Sequence, residues 1–156
     1  MKKFFFDCGT RDATASLGIL VLRVMIGLMM LFGHGLPKLM GFGIHKDSFY
    51  VPDFFPLKYM SPPVSLMACL TAEVLASMLI ILGLAMRPAA FVLGFNMVVA
   101  AFAVQGSLPW FLGPAAAQAK EPALLYLVPL LSLILTGAGA ISLDASLYSE
   151  SKRRRW

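Results

Sequence analysis

Residues 17–36 read LGILVLRVMIGLMMLFGHGL, twenty positions of which only Arg23 and His34 can ionise. Wound as an α-helix, such a run is about 30 Å long, the thickness of a bilayer's hydrocarbon core. It is longer than a typical signal-peptide core, and no small-x-small cleavage site follows Lys38, so it is expected to stay in the protein. The segment Phe4-Phe5-Phe6-Asp7-Cys8 is no lipoprotein signal either, because no apolar stretch precedes the cysteine.

Three more runs of this kind follow. With the first they predict helices over about 17–38, 64–86, 88–107 and 122–142. Pro62-Pro63, Pro88 and Pro122 stand at or just before starts, where a missing N–H costs little. Pro129 falls inside the fourth run, where a kink is expected. Helices two and three are joined almost directly through Arg87, a tight turn. The chain of 156 residues is 59% hydrophobic and only 13% charged, with mean hydropathy +0.80. A soluble domain of this size needs far more polar surface. The fold expected is all-α: one integral-membrane four-helix bundle, a single transmembrane domain over 1–156 with a basic tail at 145–156.

Net charge is +5 and the isoelectric point about 9.5. The cations sit at the ends of apolar runs, a placement that suits anionic lipid headgroups rather than nucleic acid. Lys2, Lys3, Arg11, Arg87 and the tail Lys152-Arg153-Arg154-Arg155 fall on one side, and Lys38, Lys46, Lys58 and Lys120 on the other. Eight against four sets the first side in the cytoplasm, so both termini are expected inside a multi-pass inner-membrane protein. The first external loop, 40–61, is long and aromatic, with Phe42, Phe49, Tyr50, Phe54, Phe55 and Tyr59. It reads as an interfacial belt, as a lid over the bundle, or as both. Trp110 and Phe111 in the second external loop add to that rim.

Charges in oil must find a partner, reach the interface or be neutralised, at about 2.5–3.5 kcal/mol each at midplane. Arg23 and His34, eleven residues apart, return to nearly the same face of the first helix about 16 Å higher, with Gly27 and Lys38 close to that stripe. Glu73 lies near the middle of the second helix, Cys69 and Ser77 one turn to either side. Two readings of Glu73 stay open: a buried ion pair with Arg23, or a carboxylate poised to bind or exchange protons with a ligand. Asn96 sits mid-depth on the third helix and Gln105 near its outer end. Their spacing of nine places them on opposite faces unless the helix distorts. Glu121 opens the fourth helix, either favouring its dipole or serving as a ligand.

His34, Lys38, Glu73 and Glu121 thus converge on the outer half of the bundle, beneath the aromatic loop. An apolar cavity with a few polar groups suits a small molecule. His45 lies in a loop, so no histidine pair is available for haem. Cys8 and Cys69 stand too far apart in sequence for an iron–sulfur or CxxC site and read as an inert tail thiol and a packing residue. No metal site is argued by the spacing. Small residues such as Gly27, Ala72 and Ala76 permit close packing within the chain or between copies in a homo-oligomer.

From Arg23 to Asp144 the sequence resembles the DoxX family of small four-helix membrane proteins. The resemblance runs through Arg23 and Gly27, Phe32-Gly33-His34-Gly35 with Lys38, Gly41-Phe42, Pro62-Pro63 and Glu73. It continues in Leu82-Gly83-Leu84-Ala85-Met86-Arg87 with Ala89-Ala90, in 121–126, and in 137–144, which reads GAGAISLD. Met86 and Pro88 flank the arginine where the family often differs, and the first loop is longer than usual. The family takes its name from a subunit of a thiosulfate:quinone oxidoreductase, and similar proteins are associated with membrane redox or oxidative-stress complexes. The resemblance implies importance for Arg23, His34, Lys38, Glu73 and Glu121, a bound quinone and a redox partner protein that supplies electrons. It assigns no catalytic residue. Beside this stand two alternatives: a non-catalytic scaffold or assembly factor, and a small-solute transporter, for which the fourth helix is very apolar between Glu121 and Ser132.

Overall fold

A computed structural model of the chain describes residues 12–114 and 117–147. The basic tail, Cys8 and the cations Lys2, Lys3 and Arg11 lie outside the described residues. Helix α1 is Ala13–Met40, and a single turn, α2, is Phe42–His45. Then come α3, Pro62–Leu82, α4, Met86–Val104, and α5, Glu121–Thr136. There is no β-strand among the described residues. Helices α1, α3 and α4 are long and apolar enough to cross a membrane. A stripe of Leu17, Val21, Met25, Leu28 and Phe32 on α1 is exposed, as are Phe91, Phe95 and Phe102 on α4. Such a continuous apolar exterior suits lipid and not water.

Each helix starts and stops for a local reason. Asp12 caps α1, its Oδ1 accepting from Ala15 N at 2.8 Å. Pro62 and Pro63 occupy the first turn of α3. Gly83, at φ +66°, ends α3: its N–H bonds Ile80 O while Leu84 N–H bonds Leu79 O, a Schellman closure. The α3–α4 turn is therefore 83–85, earlier than the sequence suggests, and Arg87 lies inside α4. The fourth run departs most from expectation. Helix α5 ends at Thr136, not near 142, and is about 24 Å long. Gly137 and Gly139 take φ of +79° and +76°, and the chain leaves the helix there; residues 137–139 are buried, while Ala140, Ile141 and Leu143 are exposed. Pro129 sits inside α5 without ending it.

The irregular segment after α5 ties one end of the bundle together. Arg23, only 3% exposed, donates to the carbonyls of Ala138, at 3.1 Å, and Ile141. Ser16 Oγ accepts from Ala140 N at 3.1 Å. Asp144 takes the N–H groups of Ala85 and Met86 at 2.9 and 3.0 Å, so a carboxylate from far downstream caps α4. Gly83 must be glycine for a second reason, since a Cβ there would lie 1.7 Å from Arg23 Nη1.

The core is Met30, Ala72, Ala76, Ile80, Leu93, Met97, Leu130 and Leu133, with α4 packed most extensively on α5. Gly27 lets α1 approach α3 so closely that an added Cβ would meet Ile81 Cγ1 at 2.5 Å. Gly27, Ala72 and Ala76 are all buried within the chain.

Candidate functional site

Three helices widen into π turns: Leu31–Gly35 in α1, Thr71–Ala76 in α3 and Ala100–Val104 in α4. Such turns are rare and frequently mark functional positions. The first has a visible cause. Pro37 cannot donate to residue 33 and its ring crowds that carbonyl; the widened turn, with Leu36 N–H reaching back to Leu31 O, relieves both. Gly35 then packs directly on the second π turn, where a Cβ would fall 2.9 Å from Glu73 O.

These distortions surround a cavity of about 460 Å³, within the range of small-molecule sites. His34 and Lys38 come to it from α1, Cys69 and Glu73 from α3, Asn96 from α4, Gln105 from the residue that closes α4, and Tyr126 from α5. At its heart Lys38 Nζ pairs with Glu73 Oε1 at 2.5 Å. Asn96 Nδ2 donates to the same oxygen at 3.3 Å, and the Cys69 thiol lies 3.4 Å from it. Glu73 is 3% exposed while the Lys38 side chain is 33% exposed. A cation and an anion brought together answer the cost of placing either in hydrocarbon, but only for the atoms that meet. Glu73 Oε2 is buried with no hydrogen-bond partner among the described residues, as is Gln105 Oε1.

The 40–61 connection covers part of this space. Phe49, Tyr50, Pro52, Leu57 and Met60 line the cavity. Tyr50 is fixed twice: its hydroxyl donates to Ala103 O in the third π turn at 3.1 Å, and its carbonyl accepts from Ser65 Oγ at 2.7 Å. Phe54, Phe55 and Tyr59 point elsewhere and are exposed. Trp110 and Phe111 are not on the cavity wall. Trp110 meets Phe102 edge-on at 6.1 Å, with Lys120 Nζ 4.7 Å from its ring centre.

Of the residues singled out from sequence, the structure brings His34, Lys38, Glu73 and Asn96 to one cavity. His34 stands with its ring edge-on to Tyr126 at 5.6 Å. Two do not join them. Arg23 is not the partner of Glu73; it is held by carbonyls at the opposite end of the bundle, because the unwound 137–142 segment supplies acceptors nearer than any carboxylate on α3. Glu121 does not line the cavity; its Oε2 accepts from Leu112 N at 2.8 Å, securing the preceding loop.

Sequence reasoning missed Cys69 as part of the polar cluster, although its position one turn before Glu73 was visible. Gln105 was set on the face opposite Asn96. Nine α-helical residues make about two and a half turns, but the π turn between them absorbs one residue and leaves roughly two and a quarter. Both side chains thus reach one cavity. Among the described residues no group of three or more His, Cys, Asp or Glu is arranged so that it could hold a metal ion.

A protein-family model described as DoxX matches residues 18–106. That stretch contains α3, α4, nearly all of α1, the covering loop and every cavity residue named above except Tyr126. No curated protein and no solved structure matches the chain.

Proposed function

The chain belongs to the DoxX family, whose model covers more than half of it, and from that premise we propose that it is a quinone-binding subunit of a membrane redox system. The observation that carries this reading is Glu73 Oε2, a buried carboxylate oxygen without a partner among the described residues, on a side chain that lines a mostly apolar cavity beside an ammonium that keeps a free N–H. Lys38 donates to one ring oxygen, and Glu73 accepts or returns a proton as the ligand changes redox state. Tyr50 and the rest of the 40–61 loop exclude lipid and water from above. Electrons come from a partner protein.

In this reading α5 with its unwound extension completes a fourth crossing, and the chain is one transmembrane domain. Eight cations against four set both termini in the cytoplasm of an inner-membrane protein, with the cavity in the outer half. A purely structural role is favoured for one place only, the Arg23–Asp144 end, where every named polar contact holds backbone. A transport path through α5 is not supported, because Ser132 is exposed and bonds its own helix at Val128 O.

The test is extraction of the protein from its native membrane with surrounding lipid, followed by quantification of bound quinone. A quinone is expected near one per chain, reduced at least about tenfold by Glu73→Ala or Lys38→Met. If none co-purifies, and none binds at micromolar concentration, the reading fails.

A further inference from the structure

Donors and acceptors in the cavity do not balance. Lys38 Nζ and Asn96 Nδ2 both turn on a single oxygen, Oε1 of Glu73, and both approach the Cys69 sulfur, at 3.6 and 3.8 Å. That leaves Oε2 of Glu73 and Oε1 of Gln105 buried and unpartnered among the described residues. A carboxylate oxygen and an amide oxygen only accept. Two idle acceptors on side chains that line one cavity ask for a guest that donates.

Resting on the quinone reading above, we propose that the cavity is built for the reduced, dihydroxy form of its ligand, a phenolic O–H donating to Glu73 Oε2 with the Gln105 oxygen as the second acceptor. The oxidised ring offers carbonyl oxygens, which accept only. Lys38 can serve one ligand oxygen in either redox state, so it does not discriminate. Glu73 Oε2 and Gln105 do: the quinone sets lone pair against lone pair and leaves buried acceptors unmet, whereas the quinol satisfies them. Sites built around a hydrogen bond reject analogues lacking the matching group far more sharply than apolar walls reject a missing methylene. By linkage, each tenfold preference for the reduced form raises the potential of the bound two-electron couple by about 30 mV.

Duroquinol and duroquinone share one carbon skeleton and differ in these hydrogens. Both are titrated anaerobically into the full chain in lipid nanodiscs, as wild type, Glu73→Gln and Gln105→Leu. The quinol is expected to bind at least about tenfold tighter. The gap should shrink to about threefold or less in Glu73→Gln, whose amide can offer a donor. Gln105→Leu should also narrow it, and that variant carries the prediction if Glu73→Gln does not fold. Equal or tighter binding of the quinone overturns the preference while leaving the quinone reading in place. An unchanged gap in the folded variants overturns the assignment to these two oxygens. Failure of both forms to bind overturns both proposals.

Discussion

Lys38 and Glu73 meet at 2.5 Å across α1 and α3, one largely buried and one partly open. Removing the cation strands a carboxylate, and breaking a fully buried pair costs about 3–5 kcal/mol. Lys38 is a third exposed, so Lys38→Met is expected to cost less, about 2 kcal/mol in reversible detergent unfolding. The double variant Lys38→Met/Glu73→Gln should recover much of that loss, giving a coupling of about 1 kcal/mol or more. Arg23 and Glu73 should show no coupling, since Arg23 spends its guanidinium on Ala138 and Ile141. A coupling there as large as the Lys38 one contradicts the arrangement. The depth of Lys38 and Glu73 was legible in the sequence, because Lys38 closes the first run at its outer end and Glu73 lies in the outer half of the second, antiparallel run. The identity of the pair was not. Arg23 attracts attention as the more isolated charge, and nothing in its neighbourhood announces carbonyls freed from a helix 115 residues away.

Elements explain most of what the sequence concealed. Apolar periodicity fixes that a helix exists, but a π turn changes no composition, and three of them decide which side chains face inward. Gln105 is the clearest case, displaced from the far face to the cavity wall by one absorbed residue. The second π turn depends on Gly35 as a spacer. Gly35→Ala drives a Cβ into the Glu73 carbonyl, 2.9 Å away, and should cost about 1–3 kcal/mol while weakening ligand binding. Gly33→Ala, two residues earlier with nothing within 4 Å, should stay within about 0.5 kcal/mol of wild type. Equal effects from both remove the spacer argument. The α5 stop was visible in the glycines of 137–144 and was overridden by the apolarity of that stretch. Its consequence is the Asp144 cap on α4. Asp144→Ala should lower stability by about 2 kcal/mol, and Asp144→Asn by less, without touching ligand affinity.

At the scale of the whole molecule the two ends do different work. The end holding Arg23, Gly83 and Asp144 is closed by side chains gripping backbone, with positions that tolerate little change. The end under the 40–61 loop holds the cavity and its unmet oxygens. That division, a locked base and an open chamber, suits the proposed ligand-binding role: three apolar helices carrying a few buried polar groups stay aligned in lipid while a guest comes and goes. On the proposed orientation, with both termini in the cytoplasm, a cysteine placed at Asp53 or Lys46 in a Cys8→Ser/Cys69→Ser background should react with an impermeant maleimide added outside intact spheroplasts. One placed at Leu84 should react only after permeabilisation. The reverse pattern inverts the protein in the membrane and moves the cavity to the other leaflet. The account rests most directly on where Glu73 points. An experimental density map of the chain in a native-lipid nanodisc is predicted to show Lys38 within ion-pair distance of Glu73 and ring-shaped non-protein density against its second oxygen. A map with Glu73 turned outward to acyl chains, or with the space beside it filled by protein side chains, contradicts it.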